Sequence, residues 1–223
     1  MKTPPSVGAG LVGYGGEPSH GGALTHRSPA KVFIGLLLVV ISMLFLLFSL
    51  AYLERSRVGD WQWLAGFAGA PLASTGQLWF NTALLAMSSA ALQWARMAAR
   101  REQAAAVHHG VIAGAVLALG FLVGQVNVWQ DLVARGHLAA ANPANGFFYL
   151  ITGVHGAHLL GGLIALSVVG LLLKRGGVPR ARLALALCSV YWHFLFVLWL
   201  AMFALLASPR DALEGFAAIC GFR

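Results

Sequence analysis

Three histidines are the side chains in this sequence best suited to chemistry in an apolar setting. His155 and His158 stand three residues apart, the spacing that puts two side chains on one helical face. His193 lies in the next apolar run. Two uses compete. Imidazoles from facing helices at matched depth ligate a metal or a haem iron. His155, His158 and His193 used that way would make the chain a haem-b-binding membrane enzyme. The other use is structural, as hydrogen bonds between helices or contacts with lipid headgroups. A spacing of three recurs on any helix, so the structural use is the expected one, with no catalytic, metal or cofactor site in this chain. His20 and His26 are scattered among glycines and prolines, and Cys188 and Cys220 form no ligand pattern.

The elements that position these residues follow from composition. Of 223 residues, 59% are hydrophobic and only 10% charged, against about 25% charged in a soluble globular chain. Mean hydropathy is +0.76. A soluble surface cannot be built from so little charge. The fold class expected is all-α, an integral membrane bundle of five transmembrane helices. Five apolar stretches are long enough to cross a bilayer, at about 31–53, 77–97, 110–129, 147–173 and 183–207. A Gly/Pro-rich tail, 1–30, precedes the membrane domain, 31–207, and a short tail, 208–223, follows it. The first apolar run starts too late and is too long for a signal peptide.

Lys and Arg number 15 against 7 Asp and Glu, a net +8. In a soluble protein that excess would suggest nucleic acid; between membrane spans it sets topology. Ten basic residues fall on the N-terminal side, among them Arg96, Arg100, Arg101, Lys174, Arg175, Arg180 and Arg182, and five on the other. The N-terminus is therefore expected to be cytoplasmic and the C-terminus extracytoplasmic. Trp61, Trp63 and Phe67 suit an interfacial connection between the first two spans.

No Asp, Glu, Lys or Arg sits in the middle of a span, so a proton relay through the chain lacks carboxylates. Asn81, Thr82, Ser88 and Ser89, then Gln125 and Asn127, read as hydrogen-bonding glue between helices. Gly110 and Gly114, Gly120 and Gly124, then Gly153, Gly156, Gly161 and Gly162 allow close helix approach. The third and fourth spans thus read as inner helices. The first, with Leu36, Leu37, Leu38, Phe45, Leu46, Leu47 and Phe48, reads as a bulky face for lipid or a large partner.

Four ordered segments carry a resemblance. They are Leu78-Trp-Phe-Asn81-Thr82-Ala-Leu-Leu-Ala-Met-Ser88-Ser89, Gly120-Phe-Leu-Val-Gly-Gln125-Val-Asn-Val-Trp129, Phe147-Phe-Tyr-Leu-Ile-Thr-Gly-Val-His155-Gly-Ala-His158-Leu-Leu-Gly-Gly, and Tyr191-Trp-His193-Phe-Leu-Phe-Val-Leu-Trp199-Leu. Together they resemble subunit III of the haem-copper terminal oxidases, in its short five-helix bacterial form.

The resemblance implies a non-catalytic subunit of a bacterial aerobic respiratory oxidase, most directly a cytochrome c oxidase, in the cytoplasmic (inner) membrane. Haem and copper would belong to partner subunits. The partners implied are the catalytic haem-copper subunit I, subunit II, a small subunit IV and membrane phospholipid, with no nucleic acid. His155, His158, His193, Trp192, Trp199, Gln125 and Asn81 would be packing or lipid-contact positions. An accessory subunit of a nitric oxide reductase or of a quinol oxidase is the neighbouring alternative. The chain departs from the family at Ser42-Met43, at Val126-Asn127 and at Phe196, where the family often carries a carboxylate. A proton-antenna role is therefore not carried over.

Overall fold

The computed structural model describes residues 29–65, 70–72 and 76–208. The tails expected at 1–30 and 208–223, with His20, His26 and Cys220, lie outside them apart from their inner ends. So does Phe67.

All regular structure among the described residues is helical: α1 (Pro29–Arg55), α2 (Gly76–Arg100), α3 (Ala104–Ala134) and α4 (Pro143–Ala207). Three of these, α1, α3 and α4, are long and apolar enough to cross a membrane. α2 is diluted by Gln77, Asn81, Thr82, Ser88, Ser89 and Gln93, and several of these turn inward. Asn81 and Ser88 are fully buried. Its polarity is spent on neighbouring helices.

α4 runs over 65 residues and takes in both the fourth and the fifth expected spans. It is broken at Gly177, whose φ of 66° and ψ of −170° lie outside helical space. That positive φ suits a residue without Cβ. Pro179 follows and has no N–H to donate. The two limbs then lie side by side, with opposite direction. Tyr191 Oη donates to the His158 carbonyl at 3.0 Å, and a Cβ on Gly162 would meet the Trp192 ring at 2.8 Å.

The ends of the elements are tied across the fold. α2 closes with Glu102 at a φ of 58°. Gln103 N donates to Ala98 O at 3.1 Å, the longer bond of a Schellman cap. Arg182, from the second limb of α4, donates to the α2 carbonyls of Ala99 at 2.8 Å and Arg100 at 3.2 Å. At the opposite end Asn142 accepts from Ala144 N at 3.1 Å and caps α4. Its amide also donates to the Gln62 carbonyl at 2.7 Å, holding the α1–α2 connection in place. In that connection Trp61 is buried, edge-on to Tyr52 with ring centres 4.9 Å apart.

Candidate functional site

The α2–α3 seam is built on glycines. A Cβ on Gly110 would sit 2.7 Å from Ala95 Cβ, and one on Gly114 would sit 2.9 Å from Leu92. One on Gly124 would sit 2.2 Å from Asn81 Oδ1. No side chain fits such spaces, so the backbones approach closely. Polar groups fill in between. Ser88 Oγ donates to the Gly114 carbonyl at 2.7 Å and Asn81 Nδ2 to Gln125 Oε1 at 3.5 Å.

The second limb of α4 joins α2 through its indoles. Trp192 Nε1 donates to Ser88 Oγ at 2.9 Å, and Trp199 Nε1 to Thr82 Oγ1 at 2.9 Å. Both tryptophans are almost fully buried. An indole has a single donor, so each bond satisfies its only polar atom.

The three histidines do not converge on one point. His193 belongs to a half-buried polar cluster: Nδ1 meets Ser89 Oγ, and Nε2 lies 3.2 Å from Gln93 Oε1 and 3.3 Å from Ser189 Oγ. Gln93 Oε1 can only accept, so Nε2 carries the proton and Nδ1 accepts from Ser89. His158 bonds back through Nδ1 to the Val154 carbonyl at 2.8 Å. His155 is fully buried in a box of rings, with centres at 5.3 Å to Trp199, 5.9 Å to Phe121 and 6.5 Å to Phe45. Neither of its nitrogens has a partner among the described residues.

α1 reaches this core through one face. Ile41, Phe45 and Tyr52 are its buried residues. Phe45 corrects the sequence reading of a bulky outer face: it is 2% exposed and packs edge-on to both His155 and His158. Leu36, Leu46 and Leu47 are exposed as read, while Leu37, Leu38 and Phe48 are half-buried and pack against the core.

The remaining glycines divide. Gly153 and Gly156 meet Trp129 and Leu122 at ordinary contact distance, and Gly120 meets Leu84. Gly161 has nothing within 4 Å, and the close approach falls on its neighbour Gly162. Sequence reasoning missed Gln93 and Ser189 around His193, and Asn142 on Gln62. The i,i+4 spacings of Ser189 with His193 and of Ser89 with Gln93 are the sequence signals for the cluster, and Asn142 before Pro143 signals a helix cap but not its tie to Gln62.

At one end of the α2–α3 seam lies a cavity of about 250 Å³, lined by Gln77, Asn127, Asp131 and Arg135 together with Pro71, Leu72 and three further apolar residues. Gln77 Nε2 donates to Asn81 Oδ1 at 3.2 Å. Arg135 Nε donates to Asp131 Oδ1 at 3.2 Å. Below Arg55 at the end of α1, Asp60 accepts two bonds of 2.6 Å from its guanidinium, which holds the Asp60 carboxyl below its ordinary range.

The family profile described as cytochrome c oxidase subunit III matches residues 17–207. A Mycobacterium tuberculosis protein (strain ATCC 25618 / H37Rv) named probable cytochrome c oxidase subunit 3 is 32% identical over 129 residues. The match covers 56% of this chain and 62% of that protein, short of two thirds of its length. A Corynebacterium diphtheriae protein named cytochrome c oxidase subunit 3 is 30% identical over 161 residues, 70% of this chain and 76% of that one. A Pseudomonas putida protein named cytochrome bo(3) ubiquinol oxidase subunit 3 is 28% identical over 85 residues, 38% of this chain and 41% of that one. With the profile running from the N-terminal region to the end of α4, this chain belongs to the cytochrome c oxidase subunit III family.

Proposed function

We propose that the chain is the non-catalytic subunit III of a bacterial respiratory terminal oxidase, with its work done by packing. The observation that carries this is the family match over residues 17–207. The complex reduces O2 to water and moves protons. Haem and copper reside in the catalytic subunit I and in subunit II. This chain binds beside them, with a small subunit IV as a further partner, in the inner membrane. It crosses five times, the two limbs of α4 each counting once, from a cytoplasmic N-terminus to an extracytoplasmic C-terminus. The Lys and Arg bias supports that orientation.

What the residues do is hold shape. Trp192 and Trp199 anchor the second limb of α4 to α2, while His193 fixes its rotation through Ser89 and Gln93. His155 and His158 seat Phe45 and so α1. The exposed apolar faces of α1 and α3, with Val40, Leu47, Val116 and Val123, take phospholipid and partner helices.

Purification of the tagged chain from its own membrane tests this. Haem-copper subunits should copurify and be identified by mass spectrometry, with the haem absorbance following them when they are stripped away. Stoichiometric haem or copper on the isolated chain would overturn it, as would its loss on replacing His158 and His193 by Ala. The Pseudomonas relative supports a second reading, a quinol oxidase. Copper in the copurified subunit II favours the cytochrome c oxidase.

A further inference from the structure

We infer that the cavity between the ends of α2 and α3 is a hydrated vestibule, through which water reaches the buried amide of Gln125 inside the membrane domain. Three observations meet there. The cavity, about 250 Å³, has room for several waters at roughly 30 Å³ each. Gln77, Asn127, Asp131 and Arg135 give it polar walls able to hold them. A file of amides leads inward from it: Gln77 donates to Asn81, and Asn81 donates to Gln125.

The file ends on an unmet donor. Gln125 is 4% exposed, and its Nε2 has no partner among the described residues. A buried amide left so loses its hydration without a replacement bond, and hydrocarbon offers no relief. Gln125 stands nine residues before the end of α3, about 14 Å along the helix. Asn127, two residues nearer that end, is exposed and lines the cavity, one turn from the exposed Val123 on one side and one turn from the exposed Asp131 on the other. An exposed amide on the same helix face as Asp131 fits a wetted wall better than a lipid-facing one. The ligand class is therefore water and small polar solutes. On the orientation proposed above, the mouth opens on the extracytoplasmic side.

Thiol labelling tests this in the full chain, in sealed membrane vesicles of known sidedness. The background carries Cys188→Ala and Cys220→Ser. A charged, membrane-impermeant thiol reagent is added. It reacts with the thiolate, which forms in water and not in lipid. Asn127→Cys should label about tenfold faster than Val126→Cys, which lies at the same depth off the cavity. Gln77→Cys is the second cavity variant, should Asn127→Cys fail to insert. Cavity thiols that react no faster than Val126→Cys overturn the vestibule. Faster labelling only from the face holding the N-terminus supports the vestibule and overturns the orientation instead.

Discussion

α3 and α1 are both long apolar helices, yet they are held in opposite ways. α3 meets α2 backbone to backbone, over Gly110, Gly114 and Gly124, with Ser88 and Asn81 bonding across the gap. α1 meets α4 through rings, chiefly Phe45 and Tyr52, and has no fully buried residue before Ile41. Lipid is as apolar as leucine, so burying Leu against Leu gains little in a bilayer. Close packing and hydrogen bonds do the holding instead. The seam uses both. α1 relies on side-chain packing alone, chiefly rings, and is fully buried only at Ile41, Phe45 and Tyr52.

Breaking the seam should therefore have the largest effect. Gly124→Leu drives a side chain into Asn81 and should cost about 3 kcal/mol or more, read by unfolding in mixed micelles. Gly161→Leu, in open space, should leave that reading unchanged. Equal losses for the two would end the comparison.

Phe45→Ala comes next, at about 2 kcal/mol. That is below the ~3–5 of a soluble core because lipid can fill the space. Its signature is local: proteolysis or crosslinking should report a loosened α1 while α2 and α3 stay together. A loss of α2–α3 contact in this variant would mean that α1 is part of the seam.

Ser88→Ala removes the acceptor of Trp192 and the donor to Gly114 at once, and should cost about 1 kcal/mol. Trp192 fluorescence should shift as its N–H loses a partner. No shift would show that the bond does not form.

The smallest effect belongs to Asp60. Its carboxyl is held below the ordinary range by Arg55, so it is charged in the folded protein at neutral pH. The contact is complete above the unfolded carboxylate range and is lost as pH falls through the lowered value. Wild type and Asp60→Asn should differ most near pH 7 and converge in acid. A gap that widens on acidification would refute the pairing.

The pattern of small residues made Gly110, Gly114 and Gly124 legible in the sequence, because GxxxG spacing marks one face whatever the partner. It could not separate Gly161 from Gly162: adjacent helical positions differ by about 100°, and only the position of the second limb decides which one faces Trp192. Phe45 was misread for a related reason. α1 is apolar all round, so periodicity identifies no inner face. The histidines were visible as a group but not as separate sites, since His193 depends on Gln93, 100 residues away. The break in α4 falls in the gap between the expected spans 147–173 and 183–207, yet helix continues up to Gly177 from both sides, because only that residue leaves helical space.

Asn142 also bears on the order of biosynthesis. It clasps Gln62, 80 residues earlier in the chain. A ribosome adding about 5–20 residues per second has α1, α2 and α3 made before that side chain exists. The connection after α1 therefore waits some seconds without its tie, and is closed only when the turn leading into α4 arrives. Asn142 acts as a late latch, fastening an early segment once three helices are already in place.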